Sequence, residues 1–293
     1  MGLLCDNTRA MLNGMFLVVK PQGITSRDLV NGVVHRFHEK KVGHTGTLDP
    51  FADGLMLVTI GKGTKMGPFL EAMDKTYEAT LQFGSKTNTG DLTGDVIESK
   101  PVIELYEDYI QQTLDTFLGE QDQVPPMFSA IKHQGVPLYE LARKGEEVVR
   151  ESRRITVHAM TLIRYEGTTL TFRCHVSKGT YVRTLAEAIA EAFGMVGHLT
   201  SLTRISVGLF QLMDAKTLDQ LSEKDCLSMT QSLSHLPTLK ITRPENVKAI
   251  MDGKMQTIDI TASRVLCINE KNEAIAIYER TEGSFFKSLR GLF

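Results

Sequence analysis

The pattern of apolar and polar residues near the start of the chain predicts two buried strands separated by a helix. A continuous apolar run at residues 15–19 predicts the first strand, and a second run at residues 55–60 predicts the other. Between them, apolar residues recur at helical spacing over residues 29–37. Thr25 or Ser26 is of the residue type that caps the start of such a helix.

The middle of the chain mixes strands with helices. Strict alternation at residues 77–83 predicts a half-buried antiparallel strand, and residues 156–165 and 169–176 predict two more strands. Residues 107–118 and 181–193 have the apolar spacing of helices. The apolar face of the first of these helices is predicted to consist of Tyr109, Ile110, Leu114, Phe117 and Leu118. Because strands and helices do not alternate regularly, we expect an α+β fold with a mostly antiparallel sheet.

The last part of the chain is predicted to form a smaller unit. Residues 214–236 are polar and predicted to be helical, and the pair Leu236-Pro237 favours a domain boundary. Short strands are predicted at residues 264–268, 274–278 and 285–289. We therefore expect a larger domain at residues 1–236 and a small β-rich domain at residues 238–293.

Composition places the chain among ordinary globular proteins. Of its 293 residues, 42% are hydrophobic and 23% are charged, which excludes a disordered chain and a collagen-like repeat. Its four cysteines form no C-x-x-C pair, so we expect reduced thiols instead of disulfides or a zinc site. No apolar run reaches the length of a membrane-spanning helix and the first residues lack a signal peptide, so a cytoplasmic protein is expected.

The charge distribution has one local basic segment. The net charge of −2 argues only weakly against a nucleic-acid-binding protein, because such binding depends on local patches. Residues 130–155 contain six Lys or Arg and four Glu, with Phe128 and Tyr139 close to these charges. The segment is compatible with a projecting basic arm, but the residues alone favour an ordinary solvated helical hairpin.

The densest chemical signal is the glycine-rich segment at residues 43–54. Pro50 keeps Asp49 out of the helical region, so this carboxylate lies on an extended or turning backbone. From the residues alone, a structural turn and a catalytic role for Asp49 are equally compatible with this pattern. Asp53 lies four residues further on and would allow a carboxylate pair of the glycosidase type, although Asp53-Gly54 favours a turn.

Three other motifs do not support a nucleotide site, a metal site or a catalytic pair. The segment at residues 61–67 is glycine-rich, but it matches neither of the two common phosphate-binding patterns. His35 and His38 share a helix without further ligands nearby, so no metal site is expected. Cys174 and His175 are neighbours in a strand and point to opposite faces, which argues against a catalytic pair.

Seven short motifs resemble those of one enzyme family, the TruB family of tRNA pseudouridine synthases. They are KPQGITS at 20–26, GHTGTLDPFADG at 43–54, KTYEA at 75–79, TGDLTG at 89–94, PPMFSAIK at 125–132, SKGTYVR at 177–183 and LTR at 202–204. The resemblance covers about residues 11–210, with the motifs in the same order as in the family. The glycine-rich motif is the most specific of them.

The resemblance implies a pseudouridine synthase fold for the catalytic domain, residues 1–236, with a thumb insertion at about residues 125–153. This implication reverses the preference for a solvated hairpin in that segment. Residues 238–293 resemble the family's small PUA-like RNA-binding domain. Chains of the family begin shortly before the first Lys-Pro pair, so Met11 is expected as the natural start instead of Met1, and a bacterial source is expected. N-terminal sequencing of the native protein distinguishes the two starts.

The implied reaction converts uridine 55 in the T loop of tRNA to pseudouridine by base flipping, glycosidic cleavage and rejoining through C5. Asp49 matches the family's catalytic aspartate, which acts either as a nucleophile at C1′ or by way of a glycal. Arg183 matches the arginine expected to keep Asp49 ionised. Tyr77 matches the tyrosine that stacks on the uracil and can accept a proton.

Four further residues are implied to bind the substrate. His44 matches the histidine that occupies the place of the flipped base, and Tyr181 and Leu202 match the wall of the base pocket. Lys20 is expected to support the loop or to contact a phosphate. The reaction imports no atom and oxidises nothing, so no cofactor and no metal are expected.

The expected partner is the T arm of tRNA, bound by a monomeric protein that requires no membrane. Two alternatives remain open: a non-catalytic RNA-binding or tRNA-folding protein, and a glycoside hydrolase that uses Asp49 and Asp53. The combined presence of Asp49, Tyr77 and Arg183 favours the enzyme, because a pure binding protein has no physical need for that set.

Overall fold

A computed structural model describes residues 11–293. Met1, the alternative to the expected start at Met11, lies outside this range, as do most of the N-terminal residues for which no signal peptide is expected. The helices are α1 Ser26–Phe37, α2 Gly67–Glu71, α3 Glu107–Asp115, α4 Leu138–Arg143, α5 Val182–Ala192, α6 Met229–Ser232 and α7 Pro244–Met251. The strands are β1 Gly14–Lys20, β2 Val42–His44, β3 Asp53–Ile60, β4 Lys75–Phe83, β5 Ser85–Thr87, β6 Val96–Ser99, β7 Gly119–Gln123, β8 Lys132–His133, β9 Val136–Pro137, β10 Arg153–Glu166, β11 Thr169–Val176, β12 Gly197–Val207, β13 Phe210–Gln211, β14 Leu227–Ser228, β15 Thr238–Lys240, β16 Gln256–Thr257, β17 Arg264–Ile268, β18 Ala274–Arg280 and β19 Phe285–Gly291.

A ten-stranded mixed sheet forms the larger part of the molecule. Eight strands follow the order β14-β1-β3-β12-β4-β11-β10-β7, while β2 pairs with β3 and β13 pairs with β12. The ladders are antiparallel except the one between β12 and β3, which covers only the pairs Thr203–Asp53 and Arg204–Gly54. The predicted α+β fold with a mostly antiparallel sheet is therefore confirmed.

The central strand β4 has the alternation that its sequence predicts. Tyr77, Ala79, Leu81 and Phe83 are buried in the same core as the inner faces of α3 and α5, and the residues between them are partly exposed. Strand β12, which lies beside β4, is not predicted from the sequence. Its buried residues do not alternate strictly, because register shifts interrupt its pairing with β4.

Helix α1 begins where its sequence predicts. The Thr25 hydroxyl accepts a hydrogen bond from the Asp28 backbone N–H at 3.1 Å, and the Asp28 carboxylate accepts one from the Thr25 N–H at 2.9 Å. This reciprocal pair satisfies two backbone donors that have no partner inside the helix. The apolar face of α1 packs on the sheet, where the Phe37 and Phe16 rings stack at 4.7 Å.

Two helix predictions are corrected. Helix α3 ends at Asp115, and although Ile110 and Leu114 are buried, Tyr109 and Leu118 are 49% and 46% exposed. Residues 214–236 are not a helix over most of their length. Short helical turns begin after Thr217, Ser222 and Ser228, and the backbone is extended again at Leu221 and Cys226. The N–H group of each of the three residues donates to a side chain three positions on, and the Ser228 hydroxyl also accepts from the Gln231 N–H. Hydroxyl side chains that bond the backbone locally compete with a continuous helix.

The predicted β-rich tail is present as a five-stranded sheet in the order β15-β17-β18-β19-β16. One side packs α7 against Val265, Tyr278 and Phe286, which are fully buried. The other side belongs to an apolar cluster that also contains residues of β1 and β3, so the tail packs on the large sheet. The division into domains at residues 236–238 remains a prediction about folding units.

The segment expected to be a thumb leaves the sheet between two paired strands. Gln123 at the end of β7 pairs with Arg153 at the start of β10, so residues 124–152 form an excursion whose two ends meet. The excursion contains the small hairpin of β8 and β9 and the short helix α4. It is therefore not the helical hairpin that the residues alone favour. Across residues 11–293, no helix is long and apolar enough to span a membrane.

Candidate active site

The glycine-rich loop between β2 and β3 is fixed by contacts from residues near the start of α1. The Ser26 hydroxyl accepts a hydrogen bond from the Leu48 N–H at 2.9 Å and donates one to the Leu48 carbonyl at 3.0 Å. The Gly23 N–H donates to the Pro50 carbonyl at 2.8 Å. Both sides of Asp49 are therefore held, which restricts the positions available to its carboxylate.

Asp49 forms an ion pair with Arg183, although the two residues are 134 positions apart in the sequence. The Arg183 Nε lies 2.9 Å from Asp49 Oδ2, and its Nη1 lies 3.4 Å from Asp91 Oδ2. The same guanidinium donates to the carbonyls of Thr89 and Phe128, each at 2.7 Å. Arg183 is 4% exposed, so this network fixes a buried cation from four directions.

The environment of Asp49 raises the pKa of its carboxyl above the ordinary value. Burial is the largest cause, and repulsion from Asp91 adds to it, while the nearby Arg183 and Lys20 act in the opposite direction. Arg183 favours the ionised form, as expected from the sequence, but its effect on the pKa is smaller than that of burial, so the net shift is upward. A poorly solvated carboxylate of raised basicity is well suited to attack carbon or to accept a proton.

A cavity of about 670 Å³ brings together five of the seven site residues expected from the sequence. These residues are Asp49, Tyr77, Tyr181, Arg183 and Leu202. Tyr77 and Leu202 are 9% and 5% exposed and supply apolar wall, while about a third of the Asp49 side chain is exposed. The volume lies within the usual range of ligand-binding pockets.

Tyr181 is held at the cavity by a side chain from the edge of the sheet. The Gln123 side chain accepts a hydrogen bond from the Tyr181 N–H at 2.8 Å and donates one to the Tyr181 carbonyl at 3.1 Å. Burial raises the pKa of the Tyr181 hydroxyl. Because Gln123 ends β7, this contact connects the cavity to the base of the 124–152 excursion.

The excursion is connected to the cavity at a second point. Its residues Ser129, Ala130 and Ile131 line the cavity, and the Phe128 carbonyl accepts a hydrogen bond from Arg183. The segment expected to be a thumb therefore forms part of the cavity wall, and it contacts the arginine that pairs with Asp49.

The other two expected site residues, Lys20 and His44, do not line this cavity. The Lys20 ammonium is buried and donates hydrogen bonds to the carbonyls of Ala52 at 2.7 Å and Pro21 at 2.9 Å. Burial lowers its pKa to about 8. His44 ends β2, half-buried, and its pKa is lowered by burial and then by the neighbouring Arg204.

Lys20 is expected to stabilise the loop more than it binds RNA. Replacing it by Met leaves two carbonyls without their buried donor, so we expect a loss of about 1–3 kcal/mol in the free energy of unfolding. Chemical denaturation measures this loss, and Lys62→Met, which removes an exposed lysine, is the control. Unchanged stability together with weaker tRNA binding would instead assign Lys20 to a phosphate contact.

Several residues at the site carry no role in the sequence-based interpretation. Lys75, Arg204 and Ser129 line the cavity, and Asp91 contacts Arg183. The sequence does contain a signal for Lys75, because the alternation of β4 puts this lysine at a buried position, where lysine is rare. Burial lowers the pKa of Lys75 to about 8. Arg204 lies in the LTR motif, but the resemblance gives it no role, and its burial is not predicted because its strand is not predicted.

Most of the exposed charged residues that line the cavity are basic, and Glu71 is the exposed acidic residue among them. Arg153 and Lys178 are exposed and line the opening, next to Arg154, which lies 3.5 Å from both Glu120 and Asp122. Exposed cations around a cavity attract phosphates without reading base sequence. Within the part of the chain that the structure describes, no cluster of three or more His, Cys, Asp or Glu side chains could hold a metal ion.

Solved structures identify the class of fold. A chain in a crystal structure of a Cbf5-Nop10-Gar1 complex matches with a TM-score of 0.74 and 24% identity, over 96% of this chain and 85% of that one. A chain in the crystal structure of the archaeal box H/ACA sRNP Nop10-Cbf5 complex matches with a TM-score of 0.70 and 20% identity, over 97% and 87%. The expected pseudouridine synthase fold with a PUA-like tail is confirmed.

Sequence relatives identify the family. The profile of the TruB family pseudouridylate synthase N-terminal domain matches residues 35–182. The tRNA pseudouridine synthase B of Burkholderia lata is 46% identical over 236 residues, which are 80% of this chain and 73% of that protein. The protein of the same name from Vibrio campbellii is 45% identical over 212 residues, which are 72% and 67% of the two chains. The chain therefore belongs to the TruB family of pseudouridylate synthases.

Proposed function

We propose that this protein is a tRNA pseudouridine synthase that isomerises uridine 55 in the T loop. The observation that carries the proposal is the Asp49–Arg183 ion pair in the wall of a cavity that also contains Tyr77. The names of the curated relatives support the reaction and the class of RNA. The exposed cations of the cavity rim support a polyanionic substrate.

The proposed reaction breaks the bond from N1 of uracil to C1′ of ribose and forms a bond from C5 to C1′. The proton on C5 is lost and N1 gains a proton, so the product is an isomer of the substrate. Asp49 either attacks C1′ and leaves when C5 attacks, or removes the 2′ proton so that a glycal forms. Both routes need an ionised carboxylate beside the sugar. Arg183 supports this carboxylate, because its Nε lies 2.9 Å from Asp49 Oδ2.

The target base leaves the stack of the T loop to reach the cavity, at a cost of a few kcal/mol. We propose that Tyr77, Tyr181 and Leu202 contact the extruded uracil, because they form the apolar part of the wall. Arg153 and Lys178 then contact the phosphates on either side of the target. We propose that His44 occupies the vacated place in the RNA stack.

We propose that the Tyr77 oxygen accepts the C5 proton after its own hydroxyl proton has passed to N1 of the detached uracil, so Tyr77 ends the reaction as the hydroxyl and N1 carries the proton that it gains. Tyr77→Phe keeps the ring and removes the hydroxyl, so we expect the single-turnover rate to fall about 100-fold, within the range of general-base catalysis. The affinity for tRNA is expected to stay unchanged. Tyr165→Phe is the control, because that hydroxyl bonds to backbone atoms of Leu105 and Gly167. A wild-type rate in Tyr77→Phe would restrict Tyr77 to stacking.

We propose that one chain is sufficient, because Asp49, Tyr77 and Arg183 of a single chain share the cavity. Light scattering of the protein alone and with tRNA tests this expected monomer. A tRNA substrate also favours the expected cytoplasmic location, which stays a prediction that fractionation of the native cells checks.

The function is tested by tritium release from a tRNA transcript labelled at C5 of uridine. We expect one tritium per transcript, and none from a matched transcript with cytidine at position 55. Binding without release would favour the non-catalytic RNA-binding or tRNA-folding alternative. Release of free uracil would favour the hydrolase that uses Asp49 and Asp53. Release from the cytidine transcript would place the modified uridine elsewhere in the RNA.

A further inference from the structure

Arg204 on β12 is a buried cation that the proposed reaction does not use. It is 1% exposed and has the largest volume of the fully buried side chains described. It pairs with Tyr77 across β4 and lines the cavity. Among residues 11–293, no carboxylate lies within ion-pair distance of its guanidinium. A buried guanidinium without a carboxylate requires other partners for its donors.

The partners of Arg204 are the two sides of the catalytic loop. Its Nε donates to the Leu55 carbonyl at 2.7 Å, and its Nη2 donates to the Gly46 carbonyl at 3.2 Å. Gly46 comes three residues before Asp49, and Leu55 follows the loop in β3. One rigid guanidinium therefore joins the beginning of the loop to the strand at its end.

One glycine of the loop, Gly54, fits closely against the backbone of Arg204, and Gly46 is in ordinary contact with its side chain. Gly54 has φ +108°, and a Cβ atom there would lie 2.4 Å from the Arg204 carbonyl oxygen and 2.6 Å from its nitrogen. Gly46 has φ +100°, and a Cβ atom there would lie 3.5 Å from Arg204 Nη1. Since the ladder between β12 and β3 covers only two residue pairs, the side chain supplies contacts that the backbone does not.

The surroundings of Arg204 are electrostatically unfavourable for a cation. Lys20, His44 and Lys75 lie near it, and its charge contributes to the lowered pKa of each. A neutral side chain would avoid this repulsion. The planar guanidinium, however, holds its donors in a fixed fork whose Nε and Nη2 reach carbonyls on both sides of the loop, whereas the donors of a lysine ammonium rotate freely at the end of a flexible stem.

We infer that Arg204 is a positioning residue that holds residues 43–54 in the shape that keeps Asp49 against Arg183 and the substrate. The inference rests on the proposed function for its effect on rate. Without the fork, the loop relaxes on both sides, and the 2.9 Å contact between Asp49 and Arg183 is lengthened. Arg204 itself acts through the loop backbone and not on the base.

The test compares Arg204→Lys with Val33→Ala, a variant of a fully buried residue on α1 whose apolar cluster contains no residue of the loop. Arg204→Lys is expected to lower the single-turnover rate at saturating enzyme by about 100-fold, the scale of a misplacement of about 1 Å. Its affinity for the tRNA transcript is expected to stay near that of the wild type. Val33→Ala is expected to keep the wild-type rate under conditions in which both variants are folded.

The pH profile of the single-turnover rate separates positioning from general destabilisation. Asp49 faces Arg183, Asp91 and Lys20, and Arg183 is the larger of the two effects that oppose the raised pKa of Asp49. Moving Asp49 away from Arg183 raises that pKa further. Because the reaction needs the ionised carboxylate, the rate falls as the pH is lowered, and in Arg204→Lys this fall is expected to begin at a higher pH than in the wild type. Val33→Ala is expected to keep the wild-type profile.

Hydrogen exchange tests the inference without activity. Backbone N–H groups of Thr45, Leu48 and Ala52 are hydrogen-bonded, and they are expected to exchange faster in Arg204→Lys and at the normal rate in Val33→Ala. The inference is overturned if these N–H groups exchange at the normal rate in Arg204→Lys, or if the single-turnover rate of Arg204→Lys is no lower than that of Val33→Ala. Weaker tRNA binding with a normal rate at saturation also overturns it, in favour of an RNA contact. Inactivity of the wild-type protein overturns the proposed function, and exchange still decides the role of Arg204.

Discussion

Asp49→Asn is expected to lose pseudouridine formation by roughly a thousandfold or more while the variant still binds tRNA. Asparagine has nearly the shape of aspartate, so the cavity and the loop contacts of Leu48 and Pro50 are preserved. Its amide, however, neither attacks C1′ nor accepts a proton at this position. Single-turnover assays at saturating enzyme measure the loss, and filter binding with the same transcript measures the affinity.

Asp53→Asn is the matched control for this prediction. Asp53 lies on the same loop and, like Asp49, is close enough to Lys20 to oppose the lowering of its pKa. It does not line the cavity, and we expect its Asn variant to keep the wild-type rate. A wild-type rate in Asp49→Asn contradicts the assignment of Asp49. Equal losses in both variants favour the carboxylate pair of a hydrolase instead.

Arg183→Met is expected to lose both activity and stability, because one side chain serves four groups. Asp49 and Asp91 lose their cation, and the carbonyls of Thr89 and Phe128 lose a donor. Removing one partner of a buried ion pair costs about 3–5 kcal/mol of unfolding free energy. The rate is expected to fall at least as far as in the positioning variant of Arg204, since the contact to Asp49 is removed outright.

Urea denaturation at neutral and acid pH measures the stability of Arg183→Met. Without the arginine, the pKa of Asp49 rises further above its value in the unfolded chain. The native state then binds the proton more tightly, so the destabilisation shrinks as the pH falls through that raised pKa. A destabilisation that does not depend on pH would contradict an uncompensated carboxylate as its cause.

Arg173→Met is the control arginine. Arg173 lies 2.9 Å from Glu78 on the open face of the sheet, and the two side chains are 51% and 38% exposed. An exposed pair of this kind contributes about 0–1 kcal/mol, so little change is expected in stability or rate. Similar losses in the two arginine variants would show that burial does not decide the effect.

The position of Arg183 also explains why the excursion at residues 124–152 belongs to the site. Its ends meet where β7 pairs with β10, and the Phe128 carbonyl near its start accepts a hydrogen bond from Arg183. Gln123, the residue before it, holds the backbone of Tyr181. A displacement of this segment therefore reaches both the arginine that pairs with Asp49 and the aromatic wall of the cavity.

The sequence by itself determined the features that depend on neighbours along the chain. The alternation of β4, the cap at Thr25 and the strands of the C-terminal tail follow from local spacing and side-chain type. The family resemblance, which rests on motifs that are also local, pointed to Asp49, Tyr77 and Arg183, and all three share one cavity. Without the family resemblance, the residues at 43–54 are equally compatible with a structural turn and with a catalytic loop.

Only the tertiary structure decided the features that depend on distant partners. Arg204 bonds to carbonyls that are 149 and 158 residues away in sequence, and a strand with register shifts gives no periodic signal that would predict its burial. The same holds for Lys20, whose partner at Ala52 places it beneath the loop and outside the cavity. At residues 214–236, the composition predicts a helix, but local hydrogen bonds at Thr217, Ser222 and Ser228 and packing against the sheet produce short turns instead. A local pattern gives the character of a side chain, whereas its burial and partners depend on contacts between segments that only the complete fold brings together.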